Sequence, residues 1–221
     1  MRKLLNGIAE FRRNRRPEYA ATFARLALVQ TPDALFVACS DSRVVPNLFA
    51  STQPGDLFVV RNMGNLIPPC GSQGRSESDE SEAAAIEFSV GTLRVRDVIV
   101  CGHSECGAMR ALHAGLPIPG VPDLEGWLRH ARAALDRLNA GAGFPGELPP
   151  YDKLSQLNVL LQLEHLQTYP LVRQSVAEGR LRIHAWWFDI AQANVFAFEA
   201  TENRFVLLDE QRVVALVATL S

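Results

Sequence analysis

Two short stretches hold most of the chemistry in this chain, "CSDSR" at 39–43 and "HSEC" at 103–106. In the first, Cys39, Asp41 and Arg43 fall at alternate positions after the apolar run "ALFVA", and alternate residues of extended backbone face one way. In the second, His103 and Cys106 stand three apart where the run "DVIVCG" gives way to small residues. At a strand-to-helix turn that spacing lets both side chains converge. Two thiolates and one imidazole are a natural ligand set for Zn2+. The fourth position then goes to Asp41, which closes the site, or to solvent, which opens it to chemistry. Arg43 weighs for the second outcome, because a guanidinium beside Asp41 engages its carboxylate through two hydrogen bonds and holds it off the metal. The displaced Asp41 would still sit beside the open corner and orient solvent there. Two thiolates already offset the charge of the ion, so that solvent is acidified less than in a three-histidine site, where its pKa is about 7. The expectation is a preference for neutral-to-alkaline pH, with Asp41 as fourth ligand in a closed form at lower pH. Activity unchanged into the acid range would refute both.

Neither half of this pattern is specific alone, since a single cysteine is more often a small apolar filler. C-x-D-x-R at one strand end combined with H-x-x-C at another is far more specific. Cys70 lies in a polar, loop-like stretch, and Cys101 alternates within an apolar run, so neither is expected as a ligand. Nucleophilic cysteine chemistry fits poorly: phosphatase loops place arginine six positions after cysteine, and Val45 stands there. No G-x-G-x-x-G or Walker pattern suggests nucleotide binding.

The elements that must position these residues read as an α/β fold with a mainly parallel β-sheet core flanked by helices. Buried strands are expected at 34–39, 56–62, 97–103 and 180–188, with two more strand-like stretches in the tail. Residues 1–30 read as a helical arm divided at Pro17, residues 70–82 as a loop, and 83–95, 124–139 and 153–177 as helices. Cys39 and His103 both fall where a strand gives out, and ligands of parallel sheets gather beyond strand carboxyl ends.

With 221 residues, 48% of them apolar, the chain suits a single domain, 1–221, divided into an arm at 1–30 and an α/β zinc core at 31–221. A net charge of −2 implies no general attraction to nucleic acid or acidic membranes. Arg2, Lys3, Arg12, Arg13, Arg15 and Arg16 make the start locally basic, as a solvated helix face or a subunit-contacting arm would be. No secretory signal or membrane-length apolar run is evident, and four cysteines read as thiols or ligands, so a cytoplasmic protein is expected.

"CSDSR" and "GHSECGAM", with "PGDLFVVRNMGN" (54–65), "AAAIEFSV" (83–90) and "WWFDI" (186–190), resemble the β-class carbonic anhydrases. The bacterial members associated with cyanate metabolism are similar. The resemblance implies a lyase that hydrates CO2 reversibly to bicarbonate, with one Zn2+ per subunit on Cys39, His103 and Cys106 and the Asp41–Arg43 pair as gate. It also implies a homodimer, or a higher even-numbered homo-oligomer, in which N-terminal helices embrace the neighbour. By analogy with plant-type members, the Gln30 amide would be a hydrogen-bond donor to substrate, and Phe58, Met63 and Phe88 would form apolar walls, some from the partner subunit. The N–H of Gly107, opening a helix after Cys106, is a further donor. Phe88 replaces a tyrosine of many plant-type relatives, and "SDESE" (78–82) stands where glycines are usual. Phe36 replaces the tryptophan of the bicarbonate-inhibited subgroup, which with Gln30 favours the open form. His113, His165 and His184 are proton-shuttle candidates in name only. Two alternatives remain: a structural-zinc oligomeric binding protein, and a hydrolase of a related heteroallene such as carbon disulfide on the same scaffold.

Overall fold

The run "ALFVAC" forms β1 (Ala34–Cys39) and is buried at every residue, as a strand covered on both faces must be. In the computed structural model, which describes residues 1–76, 78, 80–117 and 119–219, β1 lies between β2 (Leu57–Asn62) and β3 (Asp97–His103). The sheet continues through β4 (Arg182–Asp189), β5 (Asn194–Glu199) and β6 (Arg204–Leu207) in the order β2-β1-β3-β4-β5-β6. The first four strands are parallel and the last two antiparallel, matching the mainly parallel core expected. Alternation sorts β1 between two cores: Leu35 and Val37 pack with Val98, Val100 and Val159, whereas Phe36 and Ala38 pack with Ile99, Cys101 and Phe188.

The helices differ from the sequence reading mainly in where they break. The arm is α1 (Arg2–Glu10) and α2 (Arg16–Leu26), and a π-helical turn, Phe11–Arg15, joins them. Pro17 does not divide them; it sits in the first turn of α2, where its missing N–H is not needed. After α3 (Pro46–Phe49), α4 (Glu80–Glu87) begins inside the stretch expected to be loop and passes into a π-helical segment, Phe88–Leu93. Acidic Glu80 and Glu82 in its first turn suit a helix start. Of the expected loop, Glu77 and Asp79 lie outside the described residues. Then come α5 (Gly107–Ala114), α6 (Pro122–Leu128) and α7 (Arg132–Asn139), the last two separated by a 3-10 turn rather than continuous. The expected helix 153–177 is α8 (Pro150–Thr168) and α9 (Pro170–Ala177), because Pro170 forces extended backbone at Tyr169. The tail ends in α10 (Glu210–Thr219), which the sequence reading did not anticipate.

Helix α8 is the strut beneath the site, with Ser155, Asn158 and Gln162 buried in the same helix as Leu154 and Leu161. Its close approach to β3 depends on Gly102, since a Cβ there would lie 2.6 Å from Val159 Cγ2. Among the described residues, no helix is long and apolar enough to cross a membrane.

Candidate metal centre

Cys39 ends β1 and His103 ends β3; Ala38 pairs with Cys101, so both emerge at nearly the same level of the sheet. The chain then doubles back through Glu105, whose φ of 59° is left-handed and uncommon for a side-chain-bearing residue, before Cys106 caps α5. Two bonds fix that turn. The Glu105 N–H donates to Asp152 Oδ1 at 2.7 Å, and its carbonyl accepts from Arg43 Nη2 at 3.1 Å. The result is a buried group, Cys39, His103 and Cys106, whose ligand atoms all lie within 4.8 Å of one another.

The donor set fits Zn2+. His103 Nδ1 lies 2.8 Å from the Ser104 carbonyl, which can only accept, so Nδ1 carries the proton and Nε2 presents its lone pair. That Nε2 is buried with no hydrogen-bond partner, a costly arrangement that a metal bond would satisfy. The Ser155 hydroxyl donates to the His103 carbonyl at 2.9 Å, steadying the backbone beneath the ring. Cys39 receives a hydrogen bond from Cys106, and with His103 and the Gly64 N–H (3.4 Å from Sγ) this holds its thiol down at about 4 despite burial. Giving that bond, together with burial, pushes the Cys106 thiol up. Both thiols must lose their protons to bind a divalent cation. Cys70 and Cys101 take no part: Cys70 bridges to Ser76, and Cys101 is fully buried, with its thiol pushed up by burial.

Asp41 and Arg43 lie beyond the end of β1, in a turn closed by Val44 N–H to the Asp41 carbonyl at 3.0 Å. The strand alternation expected to align them with Cys39 therefore does not operate; Arg43 instead folds back on Asp41. Its Nε donates to Oδ1 at 2.9 Å, its Nη2 to Oδ2 at 2.7 Å, and its backbone N–H to Oδ1 at 3.0 Å. These bonds outweigh desolvation and hold the carboxyl well below the usual carboxylate range. Asp41 does not belong to the three-ligand group.

Several supporting residues carried no sequence signal. Arg61 spans the loop from below, donating to the carbonyls of Cys39 (3.1 and 3.0 Å), Asp41 (2.7 Å) and Val44 (2.7 Å). Asn62 pins the Leu66 backbone, and buried Asp152, pushed up to about 6 by burial, anchors Glu105.

The proposed substrate residues divide into two sets. Met63 precedes Gly64, whose N–H meets Cys39, and Gly107 opens α5 directly after Cys106. Gln30 precedes β1 at the end opposite Cys39, and Phe58 is opposite Leu35, far down β2 from Asn62. Phe58 and Phe88 pack against each other at 5.9 Å between ring centroids. Within one chain these three are not beside the triad. His184 bonds Asp97 at 2.7 Å and His165 bonds the Ile67 carbonyl at 2.8 Å, while His113 is exposed at the end of α5.

Two cysteines and a histidine gathered at the carboxyl end of a parallel sheet, with a carboxylate tied back beside them, make a group that could hold one metal ion on an α/β scaffold. The profile described as carbonic anhydrase matches residues 34–195. A carbonic anhydrase of Pseudomonas aeruginosa is 41% identical over 217 residues, covering 98% of this chain and 96% of that protein. Carbonic anhydrase 1 of Escherichia coli O157:H7 is 39% identical over 218 residues, covering 98% and 96%. Among solved structures, the β-carbonic anhydrase CcaA superimposes with a TM-score of 0.85 at 35% identity, covering 96% of this chain and 93% of that one. A pair of enzymes from Sordaria macrospora, described as tetrameric β-carbonic anhydrases, is represented at a TM-score of 0.76 and 28% identity, covering 90% of this chain and 96% of that one. The chain belongs to the β-carbonic anhydrase family of enzymes.

Proposed function

We propose that the protein catalyses the reversible hydration of CO2 to bicarbonate and a proton. The observation that carries this reading is the engagement of both Asp41 oxygens by Arg43, beside three residues that could hold a metal ion without Asp41. A purely structural site needs no cation to hold its acid aside. Cys39, His103 and Cys106 would hold Zn2+, which would supply the Lewis acidity that acidifies a water. Asp41, kept ionised by Arg43, accepts a hydrogen bond from the reacting water and so turns its lone pair toward the carbon of CO2. CO2 is small and apolar with accepting ends, so it needs greasy walls and one or two donors. Met63 and the Gly107 N–H, next in sequence to residues of the centre, suit those roles. Gln30, Phe58 and Phe88 lie toward the other end of the strands, so their part in a pocket comes from a partner subunit. An even-numbered homo-oligomer therefore belongs to this reading. Four cysteines with no disulfide among them support a reducing, cytoplasmic setting.

Stopped-flow hydration of CO2 with a pH indicator, on protein of measured zinc content, tests the proposal. Asp41→Asn should keep its zinc and lose about a hundredfold or more in rate. A fully zinc-loaded wild type without hydration activity would hand the site to a structural role.

A further inference from the structure

At the amino ends of the parallel strands, a cleft of about 540 Å³ opens between the segment before β3 and the turn joining α9 to β4. Its floor includes buried Val95 and Leu181, and its rim carries Arg94, Arg96, Arg180 and Arg182. The strand register explains the gathering: Asp97 pairs with Arg182, and the Arg182 N–H donates to the Arg96 carbonyl at 2.9 Å. Two of the four cations are already matched. Arg182 holds Asp97 through two bonds of 2.8 Å, and Arg180 is bound to Glu178. Among the described residues, no carboxylate or other acceptor pairs with the guanidinium of Arg94 or of Arg96; Asp33 lines the adjoining hollow with both but makes no ion pair with either. Arg94 is also held at a φ of 57°, the left-handed region that long side chains seldom adopt.

A second feature lies beneath the same floor. Ser175 of α9 lines the same cleft, is 1% exposed, and has an Oγ with no hydrogen-bond partner. Its carbonyl accepts from the N–H groups of Arg180 and Leu181 at 2.9 and 3.1 Å, so the backbone is satisfied and the hydroxyl is left over. A buried hydroxyl without a partner is costly.

We propose that this cleft binds a small organic phosphate monoester, of mononucleotide size, independently of the metal centre. Two unmatched guanidiniums suit the charge of −1.5 to −2 that a phosphate monoester carries near pH 7. Their planar forks match phosphate oxygens in pairs, and the Ser175 hydroxyl, enclosed beneath the floor, adds a donor once its side chain turns toward the cleft. The apolar floor takes the organic part, and the volume falls within the range usual for small-molecule sites. Bicarbonate, a monoanion without an organic part, fits less well. Strand β3 runs from Asp97 beside the cleft to His103 at the centre, a span of roughly 20 Å, so the two sites are distinct.

The test is calorimetric titration of the full-length, zinc-loaded protein with adenosine 5′-monophosphate, inorganic phosphate and citrate. The monophosphate should bind saturably and most tightly, and more weakly as salt is raised. The double variant Arg94→Gln/Arg96→Gln should lose at least about tenfold in affinity, and Ser175→Ala a smaller factor, with CO2 hydration unchanged in both. Thermal melting establishes that each variant is folded. No saturable binding by the wild type, or equal binding by the folded double variant, would overturn the proposal. Tighter binding of citrate would overturn the choice of phosphate, and inorganic phosphate binding as tightly as the monophosphate would remove the organic part.

Discussion

In the proposed mechanism Arg43 decides whether the metal corner is open. It is about half exposed, yet it makes both side-chain bonds to Asp41 and one to the Glu105 carbonyl, so it joins the carboxylate to the turn that carries Cys106. Lysine could not replace it, because an ammonium lacks the planar fork that occupies two oxygens at once. Arg43→Ala should free Asp41 to take the fourth position, lowering hydration about a hundredfold or more with zinc content unchanged. In the Co2+-loaded variant the visible spectrum should stop responding to pH, where the wild type responds. A variant that hydrates CO2 at the wild-type rate would remove Arg43 as gate. The clustering of Cys39, His103 and Cys106 and the Asp41–Arg43 contact were legible because side chains make them and residue type declares it. Asp152 and Arg61 were not legible. They act on backbone groups, Asp152 across 47 residues and Arg61 across 17 to 22, and such contacts leave no spacing signature.

The interruption between α6 and α7 shows the same limit for whole elements. Leu128, Ala131, Ala134 and Leu135 continue one buried face through it, so the apolar period from 124 to 139 reads as a single helix. The 3-10 turn between them carries His130, buried with Nε2 unpartnered, its ring edge-on to Trp127 at 5.5 Å. Burial, then the nearby charges of Arg129 and His165, pushes this histidine down to about 4. The unfolded chain takes up the proton near pH 6.5, so the contribution to stability is complete above that value and is lost as pH falls toward 4. The loss amounts to roughly 3 kcal/mol at most. His130→Phe should flatten the fall in urea-unfolding stability between pH 6.5 and 4 by about one proton; an unchanged slope would assign the acid sensitivity elsewhere. Strands were the readable elements, since each is a short, largely apolar run; β1 and β3 are buried almost throughout, whereas β2, expected to be buried, lies at the sheet edge and buries no residue. The break at Pro170 was signalled too, but Leu166, Tyr169 and Val172 stay buried across it and the period masks it.

For the molecule as a whole, the arm is the part that a single chain does not account for. Neither α1 nor α2 buries a residue, while Leu4, Leu5, Ile8, Phe11 and Phe23 all stand exposed. Helices this short are marginal in water without a surface to pack on, and the contact of Leu26 with Gly55 holds only the base of the arm. The basic residues keep the rest of the arm wet, so the apolar stripe is the part that needs covering. Strand β2 is also an open sheet edge, and Val59 on it and Phe88 are among the exposed apolar side chains. Arm, edge strand and displaced substrate residues are explained together if the neighbour that covers the arm also completes the pocket. Leu4→Asp/Ile8→Asp should therefore lower the mass measured by light scattering from an even-numbered oligomer toward the monomer, with zinc retained. Hydration activity should fall in step with the oligomeric fraction and recover at high protein concentration. An unchanged mass would free the arm of this role, and monomers as active as the assembly would place the whole pocket within one chain.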